Sequence, residues 1–442
     1  MKRLSDYKLI KQINSTAYPL ILSSIVSVLM GWIDQAFIGH ISVYAYAGVG
    51  LVLSCVNSLV GVLGAFSIVF NIYGSKLWGK QEEKKLSELF SVFIIICLII
   101  GIILSVFFNL YCDVILSNGF GLEGRALTEA SIYLKVYSFS IPLNLLIFIH
   151  SSVIKIYKKT QYLFVCVIIV NIINIILDYA LVFGKFFFPE LGTLGAALGT
   201  IIALIVNLLI YICIVHKFIY FSFFVDNLKQ KMQNILKYSL PFIGQEAMED
   251  IVFVVGINSI VARVGVLELS AYNLILQIIN FFLMPMFGYA TANTIFVGEN
   301  YAQKKYKKIY KVTRYTIYIL AFWFTVLFLL LNFSSTEIAR MITQSSAVKS
   351  LTVMVLPIAL MAQLFNYYQN ICKSTLQCIG FEKWTLLVTF VTNIFTLLII
   401  LLFGKNLSHI YIIMGSGYLV ISLIYTRRLL LLRHEQFMIN DQ

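Results

Sequence analysis

Long apolar stretches separated by short polar joins dominate this 442-residue chain. A helix that crosses a bilayer needs about 20 mostly apolar residues. Twelve stretches reach that length, at residues 13–38, 46–74, 88–111, 130–154, 161–183, 193–216, 236–262, 270–297, 312–333, 351–377, 384–404 and 408–427. They are too uniformly apolar for the alternating strands of an outer-membrane barrel. We therefore predict an all-α polytopic membrane protein with twelve transmembrane helices.

Composition and charge support this prediction and fix its orientation. Hydrophobic residues make up 60% of the chain and the mean hydropathy is +0.90, more than a soluble core can hide. Of the 33 basic residues, 26 lie at the termini and in alternate joins, and seven lie in the opposite joins. By the positive-inside rule both termini are cytoplasmic, in the cytoplasmic (inner) membrane. The formal charge of +13 thus reflects basic residues in the cytoplasmic joins, and no nucleic-acid partner is expected.

The two halves of the chain repeat the same pattern. Pro19 opens the first helix as Pro241 opens the seventh, and both the second and the eighth helix run into a lysine-rich join. We expect an N-lobe at residues 1–220 and a C-lobe at residues 221–442, each with six helices. Because six is even, both lobes enter the membrane the same way round, and a pseudo-twofold axis along the membrane normal relates them.

Two aspartates in the first lobe are the main candidates for chemistry. Asp34 lies near the outer end of the first helix, and Asp178 lies near the outer end of the fifth, where it shares a face with Asn174. At one depth, the two carboxylates either share a proton or bind Na⁺ together with the amide oxygen of Asn174. The alternative is that both are interfacial acids solvated from outside. Nothing in the sequence separates H⁺ from Na⁺.

Two residues of neighbouring helices each have two possible interpretations. Thr200 in the sixth helix offers a hydroxyl ligand to the same lobe, or belongs to a small-residue packing face. Tyr133 in the fourth helix offers a hydroxyl to a buried carboxylate, or belongs to an interfacial aromatic belt.

The second lobe carries its acids elsewhere. Glu246 and Glu249 share a face of the seventh helix, which either forms an acidic wall suited to cationic organic substrates or is hydrated near the cytoplasmic join. The tenth helix carries Asn366 and Tyr367 in a polar and aromatic stretch, which either lines the substrate path or bridges helices. These four residues form the predicted substrate cavity.

The chain has no motif for nucleotide hydrolysis or for a cofactor. The glycine-rich join at residues 74–80 does not end in the lysine and hydroxyl residue of a phosphate-binding loop, since Gln81 follows Lys80. The cysteines and histidines show no metal-ligand spacing. We predict a protein that is not an enzyme, has no catalytic residue and needs no cofactor.

Taken together, these features resemble the multidrug and toxic compound extrusion (MATE) transporters, within the multidrug/oligosaccharidyl-lipid/polysaccharide exporter superfamily. The resemblance covers nearly the whole chain. Its motifs are Pro19, residues 30–40 (MGWIDQAFIGH), residues 79–81 (GKQ), Asn174 with Asp178, residues 189–197 (PELGTLGAA), and Pro241 with Glu249.

The resemblance implies two six-helix lobes that open alternately, and export driven by inward flow of H⁺ or Na⁺. It implies a cation site at Asp34, Asn174 and Asp178, with accessory positions at Tyr133, Thr200 and Ala196, the last through its backbone carbonyl. Glu249 matches an acid of a second-lobe cation site in another branch. That branch has an Asp where this chain has Asn366, so the resemblance favours the first lobe.

Two functions follow as hypotheses. The first is a secondary antiporter that exports small, often cationic organic compounds and works as a monomer among membrane lipids. The alternative is a flippase for a lipid-linked oligosaccharide or related lipid. A flippase needs cationic residues around a pyrophosphate head group, and the candidates are Lys135, Lys155 and Lys373.

Overall fold

The computed structural model describes residues 2–222, 224–343 and 345–440, and within these residues it is helical without strands. Seventeen α-helices follow one another in these residues. They are α1 Lys2–Ile41, α2 Val43–Leu63, α3 Ala65–Gly79, α4 Glu83–Leu110, α5 Cys112–Val114, α6 Gly124–Tyr137, α7 Ser140–Ile156, α8 Gln161–Phe183, α9 Thr193–Val215, α10 Leu228–Glu246, α11 Val254–Val264, α12 Val266–Ala302, α13 Tyr306–Phe333, α14 Ser335–Ile342, α15 Ser346–Cys378, α16 Glu382–Phe403 and α17 Leu407–Asn440.

Nine of the predicted spans each fall on one long helix, and the other three are interrupted. The second predicted span comprises α2 and α3, which meet at Gly64. The fourth comprises α6 and α7, which bend by 41° at their junction. The seventh comprises α10, a π-helical turn at Ala247–Phe253, and α11. Within the described residues, ten helical segments are long and apolar enough to cross a membrane, and the bent pair makes an eleventh.

The seventh predicted span is not among these segments, because it carries several charged residues. Its π-helical turn contains Glu249 and Asp250, and Glu246 immediately precedes the turn. A π-helical turn widens a helix by one residue and is frequent at functional sites. The helix that is least typical of a membrane span therefore carries the densest group of acids.

Two compact units can be described separately. The N-terminal unit comprises Leu22–Ile243, and the C-terminal unit comprises the described residues of 1–21 together with those of 244–442. In the N-terminal unit α7 packs against α3, α4 and α9, and α8 packs against α9. In the C-terminal unit α15 packs against α12, α13 and α17, and α16 packs against α17. The same order of contacts in both units reflects the sequence repeat.

The first helix of each sequence half begins in the unit formed mainly by the other half. In α1, Asn14 accepts a hydrogen bond of 2.8 Å from the Tyr289 hydroxyl of α12, within the C-terminal unit. In α10, Lys231 donates a hydrogen bond of 2.6 Å to Glu88 of α4, within the N-terminal unit. The bounds of these packing units differ from those of the lobes at 1–220 and 221–442. The lobes follow the sequence repeat, and their bounds stay a prediction.

Candidate functional site

The carboxyl groups of Asp34 on α1 and Asp178 on α8 lie within hydrogen-bonding reach of each other. Asp178 is 1% exposed and Asp34 is half-buried. One oxygen of each, Oδ1, is buried without a hydrogen-bond partner among the described residues. No basic side chain of the described residues forms an ion pair with either acid. The sequence predicted a shared depth for these acids, and the fold brings them into one pair.

Two glycines of α9 allow the close packing that places Asp178. A Cβ atom at Gly199 would overlap Asp178 Oδ1, and one at Gly195 would meet the carbonyl oxygen of Leu181. Glycine is the residue that permits so close an approach of two helices. The small-residue face of α9 thus lets α8 approach closely enough to enclose its carboxylate.

Polar groups of α6 and α9 complete the surroundings of the acid pair. The Tyr133 hydroxyl lies near the side chain of Thr200, and Tyr133 is close enough to both aspartates to feel their charge. Thr200 Oγ1 in turn donates 3.0 Å to the backbone carbonyl of Ala196. Tyr133 is 2% exposed and stacks on Tyr137 with ring centroids 5.0 Å apart. Both predicted accessory side chains therefore lie at the pair, and the Ala196 carbonyl is bonded to Thr200.

Asn174 supplies the remaining polar group. It lies one turn before Asp178 on α8, its side chain contacts the Asp178 carboxyl, and it is 6% exposed. Its Nδ2 atom has no hydrogen-bond acceptor among the described residues. In the described part of the chain, no group of three or more His, Cys, Asp and Glu side chains could hold a metal ion. Two carboxylates and an amide oxygen instead match the oxygen ligands of a hard cation, or the sharing of one proton.

The acids of the C-terminal unit have a different arrangement. Both carboxylate oxygens of Glu249 accept from Lys373 Nζ of α15, at 2.9 and 2.8 Å. The charges of Glu246 and Asp250 also act on one another and on Lys373. Lys373 lies near the end of the predicted tenth span, residues 351–377, and the structure buries it in α15 with 8% exposure. These acids are therefore partly neutralised by a lysine of the same unit.

The other two predicted cavity residues are largely enclosed. Asn366 donates 2.7 Å to Gln363 on its own helix and accepts 3.1 Å from Gln369. Tyr367 is 2% exposed, donates a hydrogen bond to the carbonyl of Phe282 and packs against Phe324. In this structure Tyr367 is a core residue of the C-terminal unit. Its predicted role in a substrate cavity stays a prediction, as does that of Asn366.

The sequence model of the MatE family matches residues 19–180 and 241–402, two copies that together cover most of the chain. The chain belongs to the MatE family. The predicted resemblance is thereby confirmed. The two copies of the MatE model also coincide with the two halves of the repeat, and MatE proteins are multi-pass membrane transporters that need no cofactor.

Curated relatives of this MatE chain are named as drug-export proteins. A "Probable multidrug resistance protein NorM" of Thermotoga maritima is 28% identical over 296 residues, which are 65% of this chain and 62% of that protein. A "Multidrug export protein MepA" of Staphylococcus saprophyticus is 24% identical and covers 82% of this chain and 80% of that protein. The chain thus spans less than two thirds of the NorM relative and four fifths of the MepA relative.

Solved structures share the fold of this MatE chain. A MOP superfamily transporter from Pyrococcus furiosus matches with a TM-score of 0.85 at 17% identity, over 97% of this chain and 96% of that one. A multidrug resistance MATE family transporter in an outward-facing conformation matches with a TM-score of 0.85 at 17% identity, over 95% and 96%. The predicted fold of twelve transmembrane helices in two lobes is confirmed.

Two features of this MatE chain escaped the sequence reasoning. Gln245 lies four residues before Glu249 and donates to it, a contact that the helical spacing could have suggested. Glu129 accepts 2.6 Å from Thr193 at the rim of a cavity of about 580 Å³ that Ile41 and Glu190 also line. Glu129 lies one helical turn before Tyr133 on α6. No spacing rule joins Glu129 to Thr193, because the contact is tertiary.

Proposed function

We propose that this chain is a secondary antiporter that exports small organic compounds, often cationic, and is driven by inward flow of H⁺ or Na⁺. It lies in the cytoplasmic membrane with both termini in the cytoplasm and works as a monomer. The coupling site is the pair Asp34 and Asp178 with Asn174, supported by Tyr133, Thr200 and the Ala196 carbonyl. The observation that carries the proposal is the enclosed carboxyl pair without a basic partner among the described residues.

The chemistry of the pair supports cation coupling. Two carboxylates in contact in a poorly hydrated place repel each other when both are ionised. A shared proton or one inorganic cation relieves that repulsion, and its departure restores it. Burial of charge without a partner is costly, typically several kcal/mol. The pair therefore has two states of different energy, one with and one without the coupling ion.

The helix α1 connects this change to the rest of the protein. It belongs to the C-terminal unit up to Ile21 and to the N-terminal unit from Leu22 onward. Pro19 lies beside this boundary and cannot donate the backbone hydrogen bond of a regular helix, so the helix is weakened there. Movement of Asp34 toward or away from Asp178 thus acts on a helix that belongs to both units. This continuity supports alternating access driven by the acid pair.

The substrate meets acids of the C-terminal unit in this proposal. Glu246 is half-buried and Asp250 is exposed, while Glu249 is held by Lys373. Negative charge at Glu246 and Asp250 favours compounds that carry a positive group. Asn366 and Tyr367 remain the proposed lining of the path.

The flippase alternative would need lysines that are free to bind lipid phosphates. Lys373 is bonded to Glu249, and Lys135 is 3.5 Å from the carboxylate of Asp113. With two of the three candidate lysines paired with acids, the charge arrangement supports the antiporter more than the flippase.

The experiment that tests the proposal is transport in liposomes of purified protein under an imposed pH or Na⁺ gradient, with ethidium as the substrate. We expect Asp34→Asn and Asp178→Asn to lower gradient-driven transport by about tenfold or more, because the neutral amide cannot bind or release the coupling ion. Asp226→Asn, which removes an acid outside the pair, is the matched control and should retain the rate.

Two outcomes would contradict the proposal. One is transport against the gradient at the wild-type rate by both Asn variants. The other is lipid translocation without any dependence on a pH or Na⁺ gradient, which would favour the flippase.

A further inference from the structure

A lysine and a glutamate form a nearly enclosed ion pair in the C-terminal unit. Lys373 Nζ donates to both oxygens of Glu249 at 2.9 and 2.8 Å, and the Lys373 side chain is only 10% exposed. A bidentate ammonium contact leaves little of the carboxylate for another cation. Glu249 keeps 27% of its side chain accessible, so access to this pair is not fully closed.

The carboxylate of Glu249 is held in place by groups of several helices. Gln245 Nε2 donates to Glu249 Oε1 and, at 2.9 Å, to Thr389 Oγ1 of α16. Thr389 is in turn hydrogen-bonded at 2.7 Å to the Tyr425 hydroxyl of α17, which donates to the Thr385 carbonyl. Such a fixed chain of hydrogen bonds preorganises a ligand for a cation.

The cluster contains more acceptors than Lys373 can satisfy. Gln245 is 1% exposed, yet its Oε1 atom has no hydrogen-bond partner among the described residues. Glu246 and Asp250 add two carboxylates that feel the charge of Lys373, and Tyr418 of α17 is close enough to Glu249 to feel its charge. Carboxylate, amide and hydroxyl oxygens are the ligands of hard cations. The oxygen atoms of this group are therefore suited to bind a cation, and the ammonium group of Lys373 occupies that position.

The ion pair is a property of this half of the repeat. Pro241 follows Pro19 by 222 residues, and at the same offset Glu249 corresponds to Ser27 and Lys373 to Ser151. A purely structural buried ion pair is weak support for stability, because apolar residues of similar volume often serve as well. The pairing therefore calls for another reason, which its effect on cation binding supplies.

We propose that Lys373 is a tethered cation that occupies the Glu249 site, so that the C-terminal unit binds no inorganic coupling ion. An inorganic cation would have to displace an ammonium group that is held beside Glu249 by its own chain, at high effective concentration. Removal of Lys373 opens a second cation site. This inference rests on the proposed function in one respect, since it assigns ion coupling to the other unit alone.

The test measures cations bound per chain by purified protein in detergent, with radioactive Na⁺ alone in equilibrium dialysis and with proton uptake in sodium-free buffer. We expect Lys373→Met to bind one additional Na⁺ or H⁺ per chain relative to wild type. The gain should persist in an Asp34→Asn background and disappear in the double variant Lys373→Met, Glu249→Gln. Lys373→Arg keeps the positive charge and should show no gain.

Lys373→Gln provides a second neutral variant if the methionine variant does not fold, since its amide can donate to Glu249. Equal binding of Na⁺ and H⁺ by wild type and by a folded neutral variant would overturn the inference. The same gain in the Glu249→Gln double variant would also overturn it, because the added ion would then bind elsewhere. Unchanged cation binding on Asp34→Asn alone would instead count against the proposed function, which keeps the two failures distinct.

Discussion

The two units of this protein hold buried acids in opposite ways. In the N-terminal unit, Asp34 and Asp178 contact each other without a basic partner among the described residues. In the C-terminal unit, Glu249 is bound by Lys373. At the 222-residue offset from Pro19 to Pro241, Asp34 corresponds to Gly256 and Asp178 to Ile400, so neither acid has a counterpart. The two halves of the repeat therefore differ in how their buried acids are neutralised.

The difference teaches where exchange of a cation can occur. A carboxyl pair without a lysine needs a mobile ion to neutralise it, whereas a carboxylate with a tethered ammonium does not. The proposed division of labour follows from this contrast: the N-terminal unit responds to the ion gradient, and the C-terminal unit offers fixed charge to the substrate.

The largest effect is expected from a change that displaces Asp178 without altering it. Gly199→Ala places a Cβ atom where Asp178 Oδ1 lies, so the carboxyl must move away from Asp34. We expect ion-driven transport in liposomes to fall by about tenfold or more, with a stability loss of about 1–3 kcal/mol from overpacking. The matched control is Gly417→Ala in α17, whose Cβ would meet the Thr396 hydroxyl. Equal loss of coupling in both variants would remove the distinction between the units.

A smaller effect on ion-driven transport, together with a loss of stability, is expected from breaking the ion pair of the C-terminal unit. Glu249→Gln leaves the Lys373 ammonium buried without its bidentate partner, which typically costs about 3–5 kcal/mol. Because Glu246 and Asp250 lie nearby, the lower end of that range is expected. The combined variant Glu249→Gln, Lys373→Met should lose less than Glu249→Gln alone. Thermal unfolding in detergent measures this order, and an unchanged Tm in Glu249→Gln would contradict it.

The smallest effect is expected at an acid of the N-terminal unit that lies outside the membrane-spanning helices. Asp113 is 67% exposed on its side chain and accepts 2.7 Å from Ser131. That hydrogen bond lowers the pKa of Asp113 below its usual 3.8, so the folded protein keeps this group charged at any pH above that value. Asp113→Asn should leave the pH profile of transport between about pH 5 and 8 unchanged. A shifted profile would show that acids outside the pair also set the coupling.

Much of the architecture was predictable because a bilayer imposes it. Runs of about 20 apolar residues, alternate basic joins and a repeated proline pattern are local signals with a direct physical cause. The interruptions were less predictable. The bend between α6 and α7 and the π-helical turn before α11 depend on packing and on charge within one span, which apolar length does not report.

The candidate site divides in the same way. The spacing of Asn174 and Asp178 on one helical face is fixed by the helix itself, whereas their meeting with Asp34 depends on the packing of α1 against α8. The sequence shows Lys373 only as a basic residue near the end of the tenth apolar run. Only the fold shows that its ammonium reaches Glu249, a residue 124 positions earlier in the chain.

By itself, then, the amino-acid order determined a polytopic helical protein with a doubled plan and with acids inside both halves, because hydropathy, charge asymmetry and helical periodicity act over short distances. The tertiary structure decided which of those acids remain together without a counter-ion and which one is neutralised by a lysine. That decision lies in contacts between distant helices, where burial makes the presence or absence of a single ammonium group matter most.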